Sequence, residues 1–241
     1  MNIHLASDHL TEALARAHEH WRERHAGEGT ARGVTIAFSR QAGTYGAAIA
    51  REVANRLGWP IYDHELVTRI AEDMGVRRNL LESIDERRVG WLHEAMASLL
   101  AGQRVNDEAY FRHLIETLYS LSAHGNCVIV GRGAPAALPL STTLRVRLIA
   151  PLEYRIAAVR EEHGGSMADA AKRVETTDGE RDRFISSHFG IDPNDPTNFD
   201  MVLNVARFNK AECVDLILAG YERMRKHANQ AGPAKEPAPV G

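Results

Sequence analysis

Short runs of β-branched and apolar residues alternate along this chain with longer stretches in which apolar residues recur every three or four positions. The runs Val34–Phe38 and Cys127–Val130 have the length and composition of buried strands of a parallel sheet, Leu144–Ala150 is a strand alternating enough to leave Arg145 and Arg147 on one face, and Met201–Val205 is a last strand. Trp59–Tyr62 reads as a further short extended segment. Between the first two runs, Ile49, Ala50, Val53, Ala54 and Leu57 share one face of a predicted helix that Gly58 closes as a left-handed cap. Asp63-His64-Glu65 opens the next helix. From Asp73 to Gly125 the pattern is entirely helical, with apolar clusters at Trp91-Leu92, Met96, Leu99-Leu100, Leu114, Leu118 and Leu121. Pro151 starts another helix, with Leu152, Ile156 and Val159 inward and Gly164 as its stop. Ser166 to Asp169 has the form of a capping box for the helix after it. Asp192-Pro193 and Asp195-Pro196 mark a turn-rich loop, and Lys210–Met224 is a last amphipathic helix with Val214, Ile217, Leu218 and Tyr221 inward. Strands that alternate with helices throughout predict an α/β protein whose parallel sheet is covered on both faces.

The two ends differ from this core. Residues 1–32 read as one helix and a linker, with Leu10, Ala13, Leu14, Ala17 and Trp21 at helical spacing. His18, His20 and His25 lack the i, i+4 spacing of a helical zinc pair, so a solvated helix face accounts for them better. Residues 229–241, rich in proline and without core-forming side chains, read as a disordered tail. The 241 residues are 44% hydrophobic and 25% charged, which is globular composition, and the formal charge of −3 argues against a general nucleic-acid binder. The two cysteines, Cys127 and Cys213, sit among apolar residues and indicate neither a disulfide framework nor a zinc site. The sequence has no run of ~18 apolar residues and no signal-peptide core, so the expectation is a cytoplasmic protein without a membrane partner.

The candidate chemistry starts at the polar turn Ser39–Gly46. Strand, glycine turn and helix, in that order, turn backbone N–H groups and a positive helix end toward a phosphate. A complete phosphate loop of the form G-x-x-x-x-G-K-[ST] also carries a lysine for the phosphates and a hydroxyl for magnesium. This turn has no lysine, leaving two readings open: a cradle whose cation comes from Arg40 or Arg51, or an ordinary connecting turn. Asp63 is either a helix cap or, with Arg69, part of a ligand site. Arg132 lies between Gly131 and Gly133 at the carboxyl end of a strand, where open α/β sheets bind ligands, and is a candidate anion clamp. Arg77, Arg78, Arg87, Arg88 and Arg112 lie in the helical stretch, for most of which surface charge is the default explanation. Arg173, Thr177 and Arg181 recur at four-residue spacing, with Arg183, Asp178 and Asp182 nearby, as either a salt-bridged solvated face or an arm that brings guanidinium groups to a transferring phosphate.

Ser39-Arg40-Gln41-Ala42-Gly43, Ile61–Leu66, Val128–Gly133, Asp178–Arg183 and Val202-Leu203-Asn204, in that order, resemble the cytidylate kinase-like family, a divergent branch of the P-loop nucleoside monophosphate kinases. The likeness runs from about Val34 to Tyr221. It implies a three-layer P-loop NTPase-like fold: a five-stranded parallel sheet, a helical nucleoside monophosphate-binding insertion at about 64–125, and a lid at about 166–190 within a core of 33–228. The resemblance implies phosphoryl transfer from ATP to a nucleoside monophosphate, CMP or dCMP, with magnesium carried by the ATP. Gly43 to Ala48, together with Ala42, would hold the ATP phosphates through Ala42, Gly43, Thr44, Tyr45, Gly46, Ala47 and Ala48. Asp63, Arg69, Arg112 and Arg132 would face the acceptor. Arg40, Arg173, Arg181 and Arg183 would act on the transferring group. The chain departs from the family pattern where Gly46 or Ala47 replaces the loop lysine, Ala48 its hydroxyl partner, and Gly133 the acid of Gly-Arg-Asp. These departures keep two other readings open: a catalytically impaired nucleotide-binding regulatory protein, and an α/β interaction domain that binds no nucleotide.

Overall fold

The computed structural model describes residues 33–82, 84 and 108–230, together with Glu19. The expected N-terminal helix, the apolar clusters from Trp91 to Leu100 with Arg87 and Arg88, and the segment from 231 onward lie outside the described residues. Five strands form one parallel sheet: β1 (Thr35–Arg40), β2 (Ile61–Tyr62), β3 (Cys127–Val130), β4 (Thr143–Ile149) and β5 (Met201–Asn204), in the order β2-β3-β1-β4-β5. Helix α1 (Gly46–Leu57) follows β1, α2 (His64–Glu72) and α3 (Met74–Glu82) follow β2, and α4 (Glu108–His124) precedes β3. The short α5 (Ala134–Ala137), then α6 (Leu152–His163), α7 (Met167–Phe189) and α8 (Lys210–Gln230) complete the described helices.

The pleat of β1 explains the layering. Ile36 and Phe38 point into a core shared with Ile49, Ala50 and Val53 of α1 and with Cys213, Val214 and Ile217 of α8. Ala37 points the other way, into a core with Leu66, Val67 and Ile70 of α2 and Leu114, Ile115 and Leu118 of α4. Both faces are therefore covered, and the central strands read as unbroken apolar runs for that reason. Two caps form as the sequence predicts, a left-handed Gly58 and a reciprocal capping box of Ser166 with Asp169 at the start of α7, and α7 ends on a left-handed Gly190.

Two expectations need correction. β1 continues to Arg40, because Ser39 and Arg40 still pair with Arg147 and Leu148 of β4, so the turn begins at Gln41. Leu152 is 54% exposed, and it is Arg155 of the same helix that turns inward, at 8% exposure. Pro151 accordingly stands just before α6 as its cap residue. Among the described residues no helix is long and apolar enough to cross a membrane.

Candidate active site

The turn after β1 is held from below. Gln41 N–H donates to the Leu148 carbonyl, the Gln41 side chain accepts from Ala150 N–H at 3.2 Å, and the Thr44 hydroxyl donates to the Gln41 carbonyl at 2.8 Å. Ala42 is buried in a small core with Val159, Ala170 and Val174, which fastens α6 and α7 to the turn. Gly43 has a φ of +77°, and a Cβ there would lie 2.3 Å from the Arg155 carbonyl oxygen. Gly43→Ala is therefore expected to cost about 1–3 kcal/mol, read as a fall in thermal midpoint; an unchanged midpoint would show that the turn can open at no cost. Tyr45 also adopts the left-handed conformation, at φ 52°, and stands as the cap of α1. Its hydroxyl donates to Glu161 and its ring lies under the Lys210 ammonium, 4.3 Å from the ring centroid, so a lysine reaches the turn from α8. Among the described residues, no hydrogen-bond partner is found for any N–H from Gly43 to Ala48. A row of unsatisfied amides at a helix start is what a phosphate cradle requires.

Beside this turn lies a cavity of about 740 Å³, walled by β1, the Gly131–Gly133 turn, α5, α7 and the segment 191–199. Arg40 leaves the end of β1 against Gly46 and reaches across to Gly131, where a Cβ would lie within 2.3 Å of its Nη1. Arg132 adopts a left-handed conformation between its two glycines, donates Nε–H to the Thr68 hydroxyl at 3.1 Å and stacks over Phe184 at 5.9 Å. Arg181 of α7 donates to the Arg40 carbonyl at 3.2 Å. Burial, then the like charges of Arg181 and Arg132, push the Arg40 guanidinium down to about 10, with Asp63 pulling the other way. His64 lines the same cavity, and burial with Arg132 and Arg40 lowers its pKa, so it is neutral at pH 7. Arg145, Arg147 and Arg155 line the same space, which is therefore rich in guanidinium groups, and Asp178, Glu180 and Asp182 line it as well.

The expected residues are divided by this geometry. Arg40, Arg132 and Arg181 line the cavity. Arg173 and Arg183 are exposed on α7 and Arg112 is exposed on α4, none of them among the lining residues. Asp63 caps α2 by accepting from Glu65 N–H and Leu66 N–H, yet its charge still acts on Arg40. Arg69 is exposed and faces Asp73 at 3.7 Å, one helical turn on, so it does not converge with Asp63. Arg51 is exposed on α1, whereas Arg155, which donates to the Ala42 carbonyl at 3.4 Å, Arg40 and Lys210 all reach the turn. The glycine that stands for an acid also has a local cause. A Cβ on Gly133 would lie 2.2 Å from the Phe189 ring, so α7 occupies the space a longer side chain would need. Sequence reasoning did not single out His64, Arg147 or Arg155. Arg155 was detectable only as an arginine on the predicted inner face of α6. No three His, Cys, Asp or Glu side chains cluster to hold a metal among the described residues, and the Thr44 hydroxyl is turned to Gln41. This donor set does not fit a protein-held magnesium, so no step here is derived through one.

A five-stranded parallel sheet in the order β2-β3-β1-β4-β5, with a glycine turn and helix after its central strand, defines a kinase-like protein of the P-loop class. The chain belongs to the cytidylate kinase-like family, whose sequence profile matches residues 35–207. It is 27% identical over 84 residues to the cytidylate kinase of Methanopyrus kandleri, covering 35% of this chain and 44% of that one. It is 25% identical over 161 residues to the uronate isomerase of Corynebacterium glutamicum, covering 64% of this chain and 31% of that one. The chain thus spans less than half the length of either relative. An uncharacterized protein from Eubacterium ventriosum shares the fold, with a TM-score of 0.63 at 19% identity over 79% of this chain and 98% of the other.

Proposed function

We propose that the protein transfers a phosphoryl group from ATP to a nucleoside monophosphate, CMP or dCMP. The observation that carries this reading is the convergence of Arg40, Arg132 and Arg181 on one cavity beside a turn whose amides have no protein partner among the described residues. In this reading the amides from Gly43 to Ala48 hold the donor phosphates, and Arg132 holds the acceptor phosphate. Arg40 and Arg181 stabilise the negative charge spread over the transferring group. Such catalysis is positioning and electrostatics, and it requires no strong general base. Lys210 and Arg40 supply from outside the turn the charge that its missing lysine would have given.

A second reading, a nucleotide-binding regulatory protein without turnover, is favoured by one observation. The carboxylate of Asp178, paired with Arg155, already accepts from Ala42 N–H at 2.7 Å, at the edge of the turn, and so takes up one amide that a phosphate would use. Calorimetric titration with Mg·ATP and with CMP, each followed by an assay of acceptor-dependent ADP release, separates the two. Binding of both with turnover supports the kinase, binding of one without turnover supports the regulator, and binding of neither removes both. Arg132→Ala is expected to lower turnover of the acceptor by ~10²- to 10³-fold while far-ultraviolet circular dichroism stays unchanged. Unaltered turnover would move the acceptor elsewhere.

A further inference from the structure

A second cavity, of about 420 Å³, opens between the carboxyl ends of β4 and β5 and the turn at Pro196. Its wall is largely apolar, from Ile149, Ala150, Pro151, Pro196 and Val202. Gln41, Arg147 and Asn194 line both this cavity and the larger one, so a ligand that spans the two must pass the Arg147 guanidinium.

Arg147 is 6% exposed on the face of β4. It donates Nη1–H to the Ser39 hydroxyl at 2.9 Å and Nη2–H to the Asn194 side-chain oxygen at 2.6 Å, and it lies over the Phe199 ring at 5.3 Å. All three partners are neutral. Asp182, Asp178 and Asp192 favour its charged form without forming an ion pair, Asp182 by accepting from Asn194 Nδ2–H at 3.3 Å. Burial outweighs them and lowers its pKa. Its neighbours differ: Arg145 meets Asp200 through two side-chain bonds of 2.8 and 3.3 Å, and Arg155 meets Asp178. A buried guanidinium with neutral partners and donors to spare is costly until an anion arrives, and its planar fork matches two oxygens of one phosphoryl group.

We propose that Arg147 is an anion-binding residue at the junction of the two cavities, taking the phosphoryl oxygens of an elongated ligand whose uncharged end occupies the smaller one. A nucleoside diphosphate or triphosphate has this shape, with a ring and sugar for the apolar chamber and phosphates that continue toward Arg40 and Arg181. The proposal rests on the phosphoryl-transfer reading only for the identity of that ligand; the anion site stands on Arg147 itself.

The test titrates the full chain with inorganic pyrophosphate and with ADP, comparing the wild type with Arg147→Gln and Arg147→Lys. Both ligands are expected to bind the wild type, to lose at least tenfold in affinity in Arg147→Gln and to recover part of it in Arg147→Lys. A purely structural role would lower the melting temperature of Arg147→Gln but leave its affinity within twofold of the wild type, and that result overturns the proposal. Absence of pyrophosphate binding to the wild type overturns it as well. Where Arg147→Gln fails to fold, the side-chain Nε–H resonance of Arg147 in the wild type decides, because it must shift on addition of pyrophosphate and an unmoved resonance is contrary. Arg147-dependent pyrophosphate binding without acceptor-dependent ADP formation would retain the anion site and remove the kinase.

Discussion

Asp178→Ala is expected to lower the free energy of unfolding by about 3–5 kcal/mol, the cost typical of leaving one member of a buried ion pair alone. Arg155, 8% exposed, donates Nε–H to the Ala150 carbonyl and Nη1–H to both the Ala42 carbonyl and the Asp178 carboxylate. The other Asp178 oxygen accepts Ala42 N–H at 2.7 Å, so one carboxylate closes a ring joining α6, α7 and the turn after β1. Removing it strands both a buried cation and a backbone donor. Arg155→Met should cost less, because it leaves behind a carboxylate whose side chain is 21% exposed and can still be hydrated. Urea unfolding followed by circular dichroism reads both numbers. A loss below about 1 kcal/mol for Asp178→Ala would mean that water reaches Arg155 as readily as it reaches a surface pair. The same ring bears on motion. α7 is fastened to the turn by this pair and by Val174 and Ala170 packed on Ala42, so Arg181 is presented from a docked helix.

Much of the fold was legible because the central strands are covered on both faces and so leave apolar runs, as Cys127–Val130 does. Order of elements then fixed the site to the carboxyl ends of the strands, and Arg40, Arg132 and Arg181 do meet there. What the sequence concealed were contacts across long separations. Nothing in the spacing of α7 distinguishes Arg181, which lines the cavity, from Arg173 and Arg183, which are exposed, since a small helical rotation decides it. Arg147 reads as half of an alternating pair with Arg145, and only the fold places Asp200 against one and Asn194 against the other.

Arg40→Met is expected to stabilise the fold and to weaken binding of anions, because Arg40 holds its charge against burial and against Arg181. The Arg40 pKa is lowered from its ordinary value to about 10, chiefly by burial and by Arg181. At about 1.36 kcal/mol per unit, this corresponds to roughly 3 kcal/mol held against folding at neutral pH, taken as an upper bound. The sign follows from linkage. The folded state releases the Arg40 proton near pH 10 and the unfolded chain retains it to a higher pH, so this group opposes folding fully below pH 10 and less as pH rises through it. The advantage of Arg40→Met over the wild type should therefore be largest at pH 7–9 and shrink above 10. Methionine fills the path that the arginine stem takes past Gly46, and the backbone bond from Arg181 to the residue 40 carbonyl is unaffected by the change. Phosphate or pyrophosphate should raise the melting temperature of the wild type, since a ligand that binds only the folded state adds to its stability, and should raise that of Arg40→Met by clearly less. A variant less stable than the wild type at pH 7, with anion-induced stabilisation intact, would show that Asp63 compensates Arg40 fully and that the anion is held by Arg132 and Arg147 without it. On the phosphoryl-transfer proposal, an anionic substrate supplies the charge that offsets the cost of holding Arg40 beside Arg181 and Arg132.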